Sequence, residues 1–136
     1  MPPRPLTILL LTAAGGLGLL ACADGPTASA DVALGVEFVL ASGESALAGD
    51  DGLRVSFESV TEDSRCPMDA ICIQAGRVVV AVSAGRGQAR PFSLSPGDAA
   101  VTDGYRLRLV RVEPYPSAAT PIPASAYRAT FVVGRS

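Results

Sequence analysis

The chain has 136 residues and a formal charge of −2, and it contains no histidine, no lysine and no tryptophan. The missing histidine excludes Ser-His-Asp and Cys-His catalysis and the common zinc sites, and the missing lysine excludes Schiff-base chemistry and P-loops. All 11 cationic residues are arginine and no basic cluster stands out, so we expect no nucleic-acid binding. Only carboxylate-based catalysis remains, and it needs a groove that so small a domain rarely supplies. We therefore predict a protein that is not an enzyme and has no cofactor and no metal.

The first 21 residues have the organisation of a bacterial export signal. A short segment with one cation, Arg4, precedes the apolar run 8–20, which is shorter than the roughly 20 residues of a membrane-spanning helix. The run ends in the sequence LLAC at 19–22, which resembles the lipobox of bacterial lipoproteins. This resemblance implies cleavage after residue 21 and lipidation of Cys22.

Cleavage at this point leaves 115 of the 136 residues, which is enough for one domain with a modest core. Residues 22–33 are mostly small and polar, so we predict a flexible tether there and a single β-domain over 34–136. We expect acyl chains on Cys22 to anchor the protein in the bacterial cell envelope. Ala23 stands where an aspartate favours retention in the inner membrane, so the outer membrane is the preferred location.

Short alternating apolar patterns predict β-strands through the rest of the chain, and no helix is predicted. The predicted strands lie near residues 34–40, 53–58, 77–84, 88–94, 105–112 and 127–133. Pro91 favours a sheet edge for the fourth of these, because proline lacks a backbone N–H, and a slip in the alternation near Val110 predicts a β-bulge. Six or seven strands at this spacing predict an all-β fold, a small antiparallel β-sandwich with immunoglobulin-like topology as one form of it. A partly open β-barrel is the alternative.

Cys66 and Cys72 remain as an even pair in an exported chain, and a disulfide is the expected state in an oxidising compartment. It would close a loop of about seven residues and contribute roughly 2 kcal/mol on the chain-entropy model, as a local clamp on a turn. Open thiols together with Met68 would suit copper(I), but the disulfide is the simpler interpretation.

The segment 57–76 reads FESVTEDSRCPMDAICIQAG. It resembles an uncharacterised family of small bacterial secreted proteins and lipoproteins, whose pattern is E-D-S-R-C-P, five or so residues, then C-(I/V)-x-x-G; in this chain four residues, 68–71, separate Pro67 from Cys72. The matching residues are Val60, Glu62, Asp63, Ser64, Arg65, Cys66, Pro67, Cys72, Ile73 and Gly76. Gln74 stands where the family has an aromatic residue. The resemblance implies a secreted β-domain with a disulfide-clamped loop, and it implies no activity.

The polar residues of this segment fit turn chemistry. Asp63 and Ser64 are expected to accept backbone N–H groups, Arg65 to form a bidentate pair with a nearby carboxylate, and Gly76 to adopt a positive φ. A rigid knuckle with internally satisfied charges accounts for every residue type here, and we prefer this interpretation. The alternative is a recognition loop in which Glu62, Asp63 and Arg65 are the candidate binding residues.

Two functions remain open after these exclusions. The first is a non-catalytic envelope module that binds a protein or glycan partner or supports an assembly, with the membrane contacted through the lipid on Cys22. The second is an inhibitor of a protease or another hydrolase, because a rigid loop lowers the ordering cost of binding. Such a loop could be the clamped one at 66–72 or the proline-rich connection at 114–123, which contains Tyr115.

Overall fold

The computed structural model describes residues 29–136; the predicted signal peptide, Cys22 and most of the predicted tether lie outside them. No helix within this range is long and apolar enough to cross a membrane. Residues 29–136 form a 3₁₀ helix at Ala124–Ala126 and nine strands: β1 (Ala30–Val32), β2 (Phe38–Ala41), β3 (Ser45–Ala48), β4 (Leu53–Asp63), β5 (Val78–Gly85), β6 (Arg90–Leu94), β7 (Ala99–Thr102), β8 (Tyr105–Glu113) and β9 (Arg128–Arg135).

The nine strands form two sheets that are not closed into a barrel, so the predicted β-sandwich is confirmed over the barrel alternative. The first sheet has the order β1-β3-β4-β5-β6 and the second has the order β2-β9-β8-β7. Every pairing is antiparallel except that of β1 with β3. The four consecutive strands β3 to β6 form a meander, an order that differs from the A-B-E-D sheet of immunoglobulin domains.

The core lies between the two sheets and is built from residues that alternate along each strand. In β4, Leu53, Val55 and Phe57 are fully buried, while the residues between them lie on the outer face. Phe131 of β9 packs edge-on against Phe57 of the first sheet, with ring centroids 6.2 Å apart, and lies 6.0 Å from Phe38. Truncation of such a ring costs about 3–5 kcal/mol, so the contact of Phe57 with Phe131 is a substantial link between the sheets.

The first predicted strand is shorter than its alternating sequence suggests. The pattern over 34–40 predicts a strand throughout, but β2 begins only at Phe38. Gly35 has a positive φ of 77° and donates its N–H to the carbonyl oxygen of Val133 at 2.8 Å, which turns the chain before the strand starts. Val36, which the alternation over 34–40 places on the same face as Phe38 and Leu40, is therefore exposed.

Three short strands were not predicted. β3 and β7 have four residues each and are rich in alanine, which carries little strand signal. β1 lies within the predicted tether, so the sheet begins at Ala30 and not near residue 34. It pairs with β3 and forms one edge of the first sheet, which extends the folded domain toward the N-terminus.

The remaining expectations about strands are confirmed. Pro91 lies in β6, which is an edge strand of the first sheet. The slip in alternation near Val110 is a register shift between Leu109 and Arg111 in the pairing of β8 with β9. Tyr127 and the inward-facing residues of β9 are buried, as their alternation predicts.

Candidate functional site at the clamp end of the sandwich

The clamped loop, which we define as residues 64–77, connects β4 to β5 at one end of the sandwich. Cys66 and Cys72 form a disulfide with their Cα atoms 5.9 Å apart, which confirms the predicted pairing. At the base of the loop, Ser64 N donates to the carbonyl oxygen of Arg77 at 2.8 Å, and Arg77 N donates to Ser64 Oγ at 3.1 Å. These bonds continue the β4–β5 pairing into the loop.

Gly76 is required at the base of this loop for a reason other than the predicted one. It is not among the glycines with positive φ in the described chain. A Cβ atom at this position would collide with the carbonyl group of Ser64 on the opposite side of the loop. The glycine therefore permits two backbone segments to approach closely, and the expectation of a left-handed conformation is wrong.

Asp63 and Arg65 form a bidentate ion pair where β4 enters the loop. Arg65 Nε donates to Asp63 Oδ1 at 2.8 Å and Nη2 donates to Oδ2 at 2.7 Å. The side chain of Arg65 is 8% exposed and that of Asp63 is 9% exposed, so the pair is shielded from water. Tyr127 donates its hydroxyl to Asp63 Oδ2 at 2.9 Å from the chain just before β9. The carboxylate is thereby joined to both sheets.

The same arginine also reaches the end of β8. Its Nη1 donates to the carbonyl oxygen of Val112 at 2.8 Å, and its Nη2 donates to that of Pro114 at 3.0 Å. The guanidinium carbon lies 4.8 Å from the centre of the Tyr115 ring, a cation–π contact. Because these internal contacts occupy the guanidinium, Arg65 and Asp63 act as structural ties, as the knuckle interpretation predicts.

The pKa values at this network follow from the same contacts. Burial raises the pKa of the Asp63 carboxyl, but hydrogen bonds from Arg65 and Tyr127 and the arginine charge outweigh it, so the pKa lies below the ordinary 3.8. The hydrogen bonds to Asp63 raise the pKa of the Arg65 guanidinium above its usual range. Burial and the bond to the carboxylate raise the pKa of the Tyr127 hydroxyl above 10.0. Each group therefore keeps its usual charge at neutral pH.

Glu62, the third candidate binding residue, lies apart from this network. It accepts bonds from Arg77 Nε at 3.2 Å and from Arg77 Nη2 at 3.1 Å. The side chains are 42% and 70% exposed, so this is a surface pair of small energetic value. The hydrogen bond from Arg77 lowers the pKa of the Glu62 carboxyl. Of the three candidates, Glu62 alone remains accessible to a partner.

The proline-rich connection packs against the clamped loop. Met68 N donates to the carbonyl oxygen of Pro116 at 3.1 Å. Asp69 accepts the N–H of Ala118 at 2.7 Å and the hydroxyl of Ser117 at 3.3 Å, and the bond from Ala118 lowers the pKa of its carboxyl. The two loops that the sequence offered as separate recognition sites therefore form one surface, which we call the clamp-end surface (residues 64–77 and 114–120).

The most exposed apolar side chains of the described residues lie on this surface. All residues from 68 to 77 are exposed, and Ile71 and Ile73 are fully exposed. Met68 and Tyr115 add further exposed apolar area. The sequence pattern did not indicate Ile71 and Ile73 as candidate binding residues; the available signal was their position beside a clamped cysteine, outside any predicted strand.

A second tyrosine–aspartate pair lies at the opposite end of the sandwich. Tyr105 donates its hydroxyl to Asp51 Oδ2 at 2.9 Å, and the guanidinium carbon of Arg135 lies 4.9 Å from the tyrosine ring centre. The bond from Tyr105 lowers the pKa of the Asp51 carboxyl. None of the exposed large apolar side chains of residues 29–136 belongs to the turns at this end, 49–52 and 85–89. The clamp end is therefore the stronger candidate.

The clamp end offers contact area and no evident reaction chemistry. Within residues 29–136 no group of three or more His, Cys, Asp or Glu side chains is placed to hold a metal ion. Both cysteines of this range are joined in the disulfide. Comparison of the chain with protein-family models, with curated proteins and with solved structures found no match.

Proposed function

We propose that this protein is an exported lipoprotein, anchored through Cys22 in the outer membrane of a bacterial envelope, whose β-domain is a non-catalytic module that binds a protein partner. We also propose that it belongs to the family of small secreted proteins and lipoproteins that residues 57–76 resemble. The sequence LLAC at 19–22 supports the anchor. The observation that carries the binding function is the full exposure of Ile71 and Ile73 on a loop fastened to both sheets.

The energetics favour recognition at this loop. Burial of one isoleucine side chain contributes about 1.5–3 kcal/mol, so Ile71 and Ile73 leave a considerable free energy available for a contact with a partner. The disulfide and the contacts of Asp69 hold the loop up to Cys72 in place before binding, which lowers the ordering cost of that part. The aliphatic tip offers little to sugar hydroxyl groups, so a protein is a better partner than a glycan.

The anchor is tested by metabolic labelling with an alkyne-bearing fatty acid in a bacterial host. We expect the wild-type chain to incorporate the label and to fractionate with membranes. The Cys22→Ser variant should remain unlabelled and keep its signal peptide. Equal labelling of both forms would contradict lipidation at this residue.

The binding function is tested by capture on the immobilised chain from residue 23 onward, exposed to envelope extract of the source bacterium. We expect a protein that binds the wild type and is lost with the Ile71→Ser/Ile73→Ser variant. The matched control is Val39→Ser/Val101→Ser, which removes two exposed apolar side chains from the second sheet. Loss of the protein with both variants, or no captured protein, would contradict the proposal.

An inhibitor of a protease or another hydrolase is the second candidate function. The supporting observation is a run of ten consecutive exposed residues, 68–77, whose first part is held by the disulfide at Cys72 and by the bonds of Asp69 to the connection at 114–120. A panel of purified endopeptidases distinguishes the two candidates, because an inhibitor forms a tight one-to-one complex that blocks turnover. Unchanged turnover across the panel at saturating protein would exclude inhibition of these proteases and leave the binding module as the candidate function.

A further inference from the structure

The backbone of residues 71–76 differs from that of its neighbours in its hydrogen bonding. Among the hydrogen bonds within residues 29–136, none uses a main-chain N–H or C=O group of this segment. The neighbouring residues are bonded: Ala70 N donates to the carbonyl oxygen of Pro67 at 3.1 Å, and Arg77 is bonded on both sides to Ser64. The segment therefore exposes both its side chains and a continuous run of donors and acceptors.

The sequence of this segment has the pattern of a strand with one apolar face. Ile71, Ile73 and Ala75 alternate with Cys72, Gln74 and Gly76, which is the period of two expected for a half-buried strand. No strand of the described fold pairs with it. A strand sequence with free backbone groups and exposed isoleucines is the form of ligand that pairs with a sheet edge.

We infer that residues 71–76 bind as an added β-strand to an exposed sheet edge of the protein partner, with Ile71 and Ile73 in apolar pockets. This inference rests on the proposed binding function and states how that function is performed. The backbone bonds supply affinity that is independent of sequence, and the two isoleucines supply specificity. The partner is therefore a protein with an unpaired strand beside two apolar pockets spaced two residues apart.

The free backbone groups favour a protein over a lipid surface as the occupant. A polar backbone group that enters hydrocarbon without a partner costs several kcal/mol, whereas the edge of a sheet offers matching groups. The charges also favour a protein over a lipid surface, because residues 70–76 are uncharged and Arg77 at their end is paired with Glu62. A loop that binds anionic lipid headgroups needs unpaired cations at its flanks.

The segment bends at Ile73 and Gln74, so pairing along its full length requires this bend to open. No backbone hydrogen bond within the described residues holds the bend closed. The disulfide at Cys72 limits how far the first half of the segment moves. We therefore expect only the part after Cys72 to change conformation on binding.

Backbone hydrogen exchange of the wild-type chain, free and with the captured protein, tests this inference directly. In the free protein the amides of residues 71–76 should exchange rapidly, because they lack partners. In the complex, alternate amides of the segment should slow by about tenfold or more, as in a two-stranded pairing. Unchanged exchange in a complex that depends on Ile71 and Ile73 would overturn strand addition and leave the binding function intact.

Two substitutions of Ala75 separate backbone pairing from side-chain contact. Ala75→Pro removes one N–H and should weaken capture by up to about tenfold, as expected for one lost hydrogen bond. Ala75→Gly keeps the N–H and should bind nearly as the wild type does. Where the Ala75 amide is one of those that slow in the complex, equal binding by both variants would overturn the inference. Binding of the chain to phosphatidylethanolamine–phosphatidylglycerol vesicles through Ile71 and Ile73 would also overturn it, and no captured protein would overturn the binding function itself.

Discussion

Arg65 donates a hydrogen bond from Nη1 to the carbonyl oxygen of Val112 at 2.8 Å, which links two residues 47 positions apart in the chain. The arginine immediately precedes Cys66 of the disulfide, and Val112 lies in β8 of the second sheet. The clamped loop leaves the first sheet but is held by the second. Its position is therefore set by the whole sandwich and not by the β4–β5 turn alone.

We expect Arg65→Ala to destabilise the domain by about 3 kcal/mol or more, because it leaves the shielded Asp63 carboxylate without its partner. Arg77→Ala is the matched control, since it removes an arginine from an exposed pair and should cost less than about 1 kcal/mol. Urea unfolding of both variants measures the difference. Equal losses would show that the internal ion pair is not a structural tie.

The Asp63 carboxyl should make stability depend on acid pH. Its pKa is lowered in the folded state, so its contribution is fully present above the ordinary value of 3.8 and is lost as the pH falls through the folded-state pKa. We therefore expect the difference in unfolding free energy between the wild type and Asp63→Asn to shrink below pH 3.8. Urea midpoints across the acid range measure it. A difference that stays constant through that range would contradict the lowered pKa.

Removal of the disulfide should loosen the loop and leave the sandwich folded. The bond closes a short loop, so Cys66→Ser/Cys72→Ser should lose about 2 kcal/mol on the chain-entropy model. The bonds of Asp69 to the connection at 114–120 remain, but hydrogen exchange at the bonded amides of Met68 and Ala70 should accelerate. Amide protection in β4 and β5 is the internal control. Its loss at the same time would show that the disulfide is required for the fold.

Gly76 and Gly87 are a matched pair of positions that test whether the backbone at Gly76 lies as close to Ser64 as the structure shows. Gly76→Ala should cost about 1–3 kcal/mol, because its Cβ atom collides with the Ser64 carbonyl group. Gly87 lacks a positive φ and has open space where a Cβ atom would lie, so Gly87→Ala should be neutral or stabilise by about 0.4–1 kcal/mol. Thermal unfolding of both variants compares them, and a neutral Gly76→Ala would contradict the structure of the loop base.

The sequence allowed the β-class to be predicted because several strands alternate large apolar and polar residues over their full length. The strand with Leu53, Val55 and Phe57 is the clearest case. Strands built of small residues could not be predicted in this way. Ala46 and Ala48 are fully buried in β3, yet alanine fits a strand, a helix or a linker equally well. These strands depend on their neighbours in the sheet, and the pattern of residues in a short segment does not reveal which strands will lie beside it.

The candidate site was predictable only where its residues are close in the chain. The pair of Asp63 and Arg65 could be predicted because two positions separate them, but Val112 and Tyr127 reach it from the far side of the fold. An isoleucine such as Ile71 is most often a core residue. Its full exposure follows from the absence of a pairing strand within the described residues, which depends on topology.

The contacts that fasten the clamp end join distant parts of the chain. Those from Asp69 to Ala118 and from Asp63 to Tyr127 span 49 and 64 residues. Because chain entropy opposes the closure of long loops, we expect contacts of this kind to form late in folding, after local hairpins such as β7–β8. A chain that ends before Tyr127 lacks β9 as well, and its loop is no longer tied through Asp63 to the second sheet. The proposed recognition at this loop would thereby be coupled to completion of the domain, so that the proposed partner would select chains that have folded to their last strand.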